Sequence, residues 1–386
     1  MVQYPGTFWK DYELVDSGEG EKLERFGNYY MIRPEPKALW GRSMSLGEWE
    51  RMAHTRFRPG AGFAKAGKED SGTWERLKRT DDQWYIRYKG EQKGLDFSLR
   101  LGLTSFKHVG VFPEQSPNWE YIYRETSRLV EIARKGSAEP EFSTDGRGNV
   151  HSVASGMTEE QCRRAGLTTD GRPKVLNLFA YTGGASLAAK AAGADVTHLD
   201  SVRQVVTWAH GNQDASRLDG IRWVVEDAMK FAKREAKRGN VYQGIILDPP
   251  AYGHGTDGEK WKLDECLFEM MKTVNAILAP ENSFLVLNLY SNGFSPMLGE
   301  TVVREAFGLQ EPGLAVSSGR RAAVKDGDEI STADAVRAAL RGGRGAAAGE
   351  VKPSRCSDYE MESGELALRD RFGKVLPLSI VIRLRR

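Results

Sequence analysis

Apolar residues recur at two different spacings along this chain. From Tyr4 to about Lys107 they alternate with polar ones in short runs, such as Tyr12-Glu-Leu-Val, Tyr29-Tyr-Met-Ile-Arg33 and Trp84-Tyr-Ile-Arg-Tyr88. Gly, Pro and charged clusters separate the runs, which predicts half-buried strands, and Leu95-Asp-Phe-Ser-Leu-Arg-Leu-Gly102 predicts one more. Beyond residue 170 the pattern changes to continuous apolar runs, Val175-Leu176, Leu178-Phe179 and Ile245-Ile-Leu247, as expected of parallel strands covered on both faces. Between them, 202–215 and 228–238 are apolar on one face only and predict helices. A β-rich domain over 1–105 followed by an α/β domain over 106–386 is the division this pattern implies.

The second domain is organised around Lys174-Val-Leu-Asn-Leu-Phe-Ala-Tyr-Thr-Gly-Gly-Ala-Ser-Leu-Ala-Ala-Lys190, which predicts a buried strand, a glycine turn and a helix. Gly183-Gly184 allows close backbone approach, and the helix N-terminus aims free N–H groups over the turn. Three further segments end in acids where strands should end: Asp195–Asp200, 222–227 and 244–248. Asp200 lies about 20 residues past the turn, where a carboxylate can accept the hydroxyls of a ribose. Asp227 has a structural alternative as the N-cap of the following helix. In Asp248-Pro249-Pro250-Ala251-Tyr252 the two prolines end the ladder and fix a rigid corner at the strand end.

In this order the motifs resemble the class I S-adenosylmethionine-dependent methyltransferases, over roughly residues 105–300. Gly110-Val-Phe-Pro-Glu-Gln115 and Asp248-Pro-Pro narrow the resemblance to the group containing bacterial 23S ribosomal RNA large-subunit methyltransferases. The resemblance implies a Rossmann-like seven-stranded sheet beside the smaller β-rich domain. It implies S-adenosylmethionine held by Phe112, Gln115, Asn177, Phe179, Ala180, Thr182, Gly183 and Gly184, with Asp200 and Ser201 at the ribose and Asp227 and Ala228 at the adenine. Asn177 departs from the acid many relatives carry. Asp248, with Pro249, Pro250 and Tyr252, would present the target, Asp248 also bordering the cofactor. Related enzymes carry their aromatic where Ala251 stands here, one residue before Tyr252. An N-terminal RNA-binding module is common in the group, although its motif is not found here.

Methyl transfer from a sulfonium is an in-line displacement that relies on proximity and alignment and needs no metal. Relatives that methylate pyrimidine carbon 5 place a cysteine after the fifth strand. Here that strand reads Ser283-Phe-Leu-Val-Leu-Asn-Leu-Tyr-Ser-Asn-Gly293, with no cysteine, and Ser291-Asn292-Gly293-Phe294 is similar to relatives that methylate a guanine ring nitrogen. Nitrogen methylation of RNA, ribosomal RNA foremost, is therefore the expectation. A small-molecule or protein N-methyltransferase and a cofactor-binding protein without activity are the alternatives. His254 reads as a loop residue with a proton-acceptor role as the alternative; the loop around it, 253–255, reads as mobile.

Composition constrains the partners. Fifty-five Lys and Arg against 53 Asp and Glu leave a net charge of +2, so an RNA site must be a local patch. Trp9, Trp40, Trp74, Trp84 and Tyr85 stand among basic residues, which suits either base stacking or a small β core. Three scattered cysteines, Cys162, Cys266 and Cys356, argue against zinc or a disulfide framework and fit a reducing cytoplasm. No apolar run approaches the ~20 residues a membrane helix needs. Residues 317–353, rich in Gly, Ala, Arg and Asp, read as a flexible insertion with a helical piece at 332–340; Arg320, Arg321, Arg341 and Arg344 read as solvated, RNA contact being the alternative. The segments 365–370 and 375–385 predict a closing antiparallel hairpin.

Overall fold

A computed structural model describes residues 1–61, 71–136, 141–144, 150–153, 157–256, 258–290, 293–309 and 359–386. The expected insertion, its helix and its arginines, together with Ser291, Asn292 and Cys356, lie outside the described residues.

The N-terminal part contains β1 (Val2–Gln3), β2 (Tyr12–Gly18), β3 (Glu21–Phe26), β4 (Tyr29–Pro34), α1 (Leu46–Met52), β5 (Thr55–Pro59), β6 (Gly72–Arg76), β7 (Gln83–Lys89) and β8 (Asp96–Gly102). Strands β2 to β6 form a five-stranded sheet in sequence order, and β7 and β8 form a separate hairpin. Glu19 and Gly20, both at positive φ, make the two-residue turn between β2 and β3 that matches the twist of a hairpin. Ser45 caps α1 reciprocally with Glu48. The N-terminal tryptophans mainly serve the core: Trp9 and Trp84 are buried, and Trp40 and Trp74 pack against them, whereas Tyr85 is exposed.

After a 3₁₀ turn at Pro113–Gln115 come α2 (Ser116–Gly136), β9 (Glu141–Thr144), β10 (Val150–Val153), α3 (Glu159–Ala165), β11 (Lys174–Leu178), α4 (Gly184–Ala191), β12 (Asp195–Asp200), α5 (Arg203–Ala215), β13 (Arg222–Val225), α6 (Ala228–Arg238) and β14 (Gly244–Leu247). The chain continues through β15 (Tyr252–His254), β16 (Lys260–Lys262), α7 (Leu263–Ile277), β17 (Phe284–Leu289), α8 (Pro296–Phe307), β18 (Glu360–Arg369) and β19 (Val375–Arg385). One sheet runs in the order β1-β18-β19-β17-β14-β11-β12-β13. Its five strands from β17 to β13 are parallel, β19 is antiparallel to β17, and the expected seven strands gain β1 as an eighth at the edge. β11 pairs with β12 on one side and β14 on the other, so the strand order reverses there and opens a crevice at the C-terminal edge.

Residues 109–112 form a loop leading into the 3₁₀ turn, where Gly110 takes φ 103° and Pro113 begins a turn. One local reading changes. The segment 253–255 is part of an antiparallel hairpin, with Tyr252 opposite Lys262 and His254 opposite Lys260. Helix α7 follows directly, burying Leu263, Leu267, Met270, Met271, Val274 and Ile277 at helical spacing.

Candidate active site

The glycine turn after β11 winds tightly. Phe179 and Tyr181 sit at φ 56° and 50°, unusual for bulky residues, and Gly183 at 92°. Surrounding contacts hold this conformation: the Thr182 hydroxyl donates to Gly110 O at 2.8 Å, and Asn212 Nδ2 to Thr182 O at 2.9 Å. A Cβ on Gly184 would lie 2.9 Å from the Trp119 indole, so glycine is required for the helix to start here. Beneath the turn, Asn177 Nδ2 donates to Ser186 Oγ at 2.9 Å, and that hydroxyl lies 3.0 Å from His198 Nδ1. Burial lowers the His198 pKa to about 3, so this ring is neutral.

Above the turn is a cleft with about 570 Å³ of empty space, its open mouth included. Phe112 and Gln115 line one side. Asn177, Phe179, Ala180, Thr182, Gly183 and Gly184 form its floor, and Asp248 borders it from β14. The structure thus brings together Phe112, Gln115, the expected residues of the glycine turn and Asp248.

Asp200 and Asp227, the acids expected at the nucleoside, lie outside that lining. Asp200 accepts from Tyr181 N at 3.0 Å and Val202 N at 2.9 Å; burial raises its pKa against those bonds. Asp227 caps α6 by accepting from Lys230 N at 2.8 Å, with Ala228 buried in the first turn. The β15–β16 hairpin covers both acids: Ser201 Oγ donates to His254 O at 3.1 Å, and a Cβ on Gly255 would approach Asp227 Oδ2 to 2.9 Å.

Among the described residues Asp248 meets no cation. Burial raises its pKa to about 7, against a hydrogen bond from Asn288 Nδ2 at 2.9 Å, while the charge of Glu114 pushes the same way as burial. Asn288 is oriented in turn by Ser379 Oγ, which donates to its Oδ1 at 3.1 Å. Pro249 is buried, and Pro250 is exposed with its carbonyl accepting from Trp261 Nε1 at 2.7 Å. Trp261 packs beside Phe179, their ring centroids 4.9 Å apart. Tyr252 is 41% exposed and lies at the start of the hairpin, its hydroxyl 3.2 Å from His254 Nε2.

A buried polar chain fixes the wall opposite. Arg383 donates to Asn118 Oδ1, Asn118 Nδ2 to Gln115 Oε1 at 2.7 Å, Gln115 Nε2 to the Tyr290 hydroxyl at 2.9 Å, and that hydroxyl to Glu114 Oε1 at 3.0 Å. The amide of Gln115 therefore has one orientation. Burial raises the Glu114 pKa. Glu114, Trp119, Asn288 and Tyr290 were not singled out as site residues by the sequence; the Glu-Gln pair at 114–115 and the polar end of β17 were the available signals. Neither described cysteine lines the cleft, and no group of three His, Cys, Asp or Glu among the described residues could hold a metal ion. No helix among them is long and apolar enough to cross a membrane.

The sheet order and the crevice define the fold of the S-adenosylmethionine-dependent methyltransferases. Along its whole length the chain is similar to such a methyltransferase from Agrobacterium tumefaciens, at 29% identity and a TM-score of 0.69, covering 93% of that structure. It is also similar to the ribosomal RNA large subunit methyltransferase K/L of Shewanella frigidimarina, 30% identical over 118 residues, 30% of this chain and 16% of the relative. A third relative, large subunit methyltransferase I of Aeromonas salmonicida, is 27% identical over 160 residues, 41% of this chain and 37% of the relative. The chain therefore matches well under half the length of these two curated relatives. No protein-family model matches it.

Proposed function

We propose that the chain is an S-adenosylmethionine-dependent methyltransferase that methylates a base nitrogen in RNA, with ribosomal RNA as the first candidate. The observation that carries the reading is Asp248: a carboxyl without a cation partner among the described residues, poised near pH 7, bordering the cleft over the glycine turn. The similarity to ribosomal RNA methyltransferases supports the substrate class. A cytoplasmic location and a domain boundary near residue 105 belong to the same proposal.

The residues present fit the cofactor. Glycines at 183 and 184 let the backbone approach it, Gln115 offers an oriented amide, and Asp200 and Asp227 stand at strand ends where a nucleoside's hydroxyl and amino groups can be accepted. S-adenosylmethionine supplies an electrophilic methyl group on a sulfonium. Asp248 accepts a hydrogen bond from the target N–H, aligns the nitrogen lone pair and takes the proton lost on methylation, which a group titrating near neutrality does best. Pro249 and Pro250 keep that carboxyl at a rigid corner. The absence of cysteine from the described cleft lining favours nitrogen over pyrimidine carbon 5, whose methylation needs a ring nucleophile.

Transfer of labelled methyl groups into total RNA, protein and metabolite fractions, with Asp248→Ala as control, tests the reading. Label in RNA that disappears with the variant supports it. Label only in another fraction favours a protein or small-molecule substrate, the reading that the net charge of +2 keeps in view; binding of the cofactor with no transfer leaves a binding protein.

A further inference from the structure

A second opening lies between residues 4–14, Arg25 and the tip of β18, with about 1220 Å³ of empty space against about 570 Å³ in the cofactor cleft. Its base includes Trp9, whose ring centroid is 5.6 Å from that of Trp119, a residue lining the cleft. Two indoles therefore separate the two openings.

The groove is basic where it meets solvent. Lys10, Arg25, Arg369 and Arg371 line it against Glu13 and Asp370. Both acids are engaged within the protein: Glu13 accepts from Arg371 and pairs with Arg25, and Asp370 accepts from Ser17 Oγ and from the backbone of Phe372 and Lys374. Lys10 and Arg369 are exposed and have no carboxylate partner among the described residues. Arg369 lies over the half-buried Tyr4 ring, its guanidinium carbon 4.5 Å from the centroid, which holds a planar cation at the rim.

The groove also faces the right way. β18 is antiparallel to β19 and β19 to β17, so the C-terminal end of β18 points to the same sheet edge as Asp248. In the order β18-β19-β17-β14, three strand intervals of ~4.8 Å give a lateral offset of about 14 Å. Arg369 also lies five residues of ~3.3 Å beyond Gly364, the β18 position level with Asp248, so the span is about 22 Å, roughly six stacked nucleotides at about 3.4 Å per phosphate.

We propose that this groove takes the sugar-phosphate backbone of single-stranded RNA flanking the target nucleotide, with phosphates at Lys10 and Arg369. The inference rests on the RNA reading above and adds a site to it. Unpaired cations beside an aromatic in an open groove are the features by which proteins hold single strands without reading sequence.

The test titrates a mixed-sequence 20-nucleotide single-stranded RNA into the full chain at several salt concentrations, comparing wild type with Lys10→Glu/Arg369→Glu and with Lys237→Glu on α6 as control. Expected for the double variant are a loss of affinity of about tenfold or more and a salt slope reduced by about 1.4, two phosphate contacts at ~0.7 each. The control keeps wild-type affinity and slope, and all three keep the same S-adenosylmethionine affinity and thermal midpoint. Wild-type affinity and slope in the double variant, while wild type labels RNA, overturn the groove and leave the RNA reading standing. Displacement of the RNA by polyglutamate at equal ionic strength assigns the groove to an acidic protein segment and overturns it too. If wild type neither binds the RNA nor labels any RNA fraction, both inferences fall together.

Discussion

Glu24 in the N-terminal sheet and Asp248 at the end of β14 are both carboxyls that burial works against, yet their pKa values shift in opposite directions. Around Glu24 burial works against the charge, and Arg33 and then Lys22 overcome it, so its pKa is lowered; Arg33 Nη2 lies 2.6 Å away and the Tyr12 hydroxyl 2.9 Å. Asp248 has only the Asn288 amide, so burial prevails and the pKa rises to about 7. The neighbours, more than depth, decide whether a carboxyl is a structural anion or a proton acceptor.

The comparison breaks most sharply at Asp248. Asp248→Asn should lower the methyl-transfer rate by about 10²–10⁴-fold in single-turnover assays, with cofactor affinity changed far less. The same variant should be more stable than wild type above pH 7, on the order of 2 kcal/mol in denaturant titrations. The folded protein holds a proton that the unfolded chain has lost between pH 3.8 and about 7, so wild-type stability falls as pH rises through that window. Arg33→Met should cost about 3–5 kcal/mol, because it leaves Glu24 as an uncompensated buried charge, and the loss should shrink in acid where Glu24 takes up a proton.

A finer test alters the neighbour. Asn288→Ala removes the bond that lowers the Asp248 pKa, so the midpoint of the pH–rate profile should move to higher pH, by about one unit. The smallest change concerns the other end of the site. Ser201→Ala removes the bond to His254 O and should alter S-adenosylmethionine affinity by about two- to fivefold, measured by calorimetry, corresponding to one hydrogen bond of ~0.5–1 kcal/mol.

The parallel core was legible because strands covered on both faces must be continuously apolar, so β11, β12 and β14 stood out along with their terminal acids. The acids' settings were not legible. Asp248 takes its one opposing hydrogen bond from Asn288, 40 residues away, and Gln115 owes its orientation to Tyr290, 175 residues away. No local pattern encodes such pairings. Helix α7 carried a periodic signal in Leu263, Leu267, Met270, Val274 and Ile277 that no expectation took up. The β15–β16 hairpin did carry a turn signal, Asp-Gly at 257–258, and Trp261 reaches back from it to Pro250 O.

The tip of the β18–β19 hairpin has a consequence for how the chain is made. Lys374 Nζ lies 2.7 Å from the buried carboxylate of Asp16, Ser17 donates to Asp370, and β1 pairs with β18, joining residues more than 350 positions apart. During synthesis the N-terminal sheet emerges long before its counter-ion, and until Lys374 arrives Asp16 is held by neutral donors alone, Met44 N at 2.8 Å and Trp49 Nε1 at 2.9 Å. Closing so long a loop is slow. The ion pair of Lys374 with Asp16 and the pairing of β1 with β18 therefore form only after the β18–β19 tip has been made, late in the order of contacts.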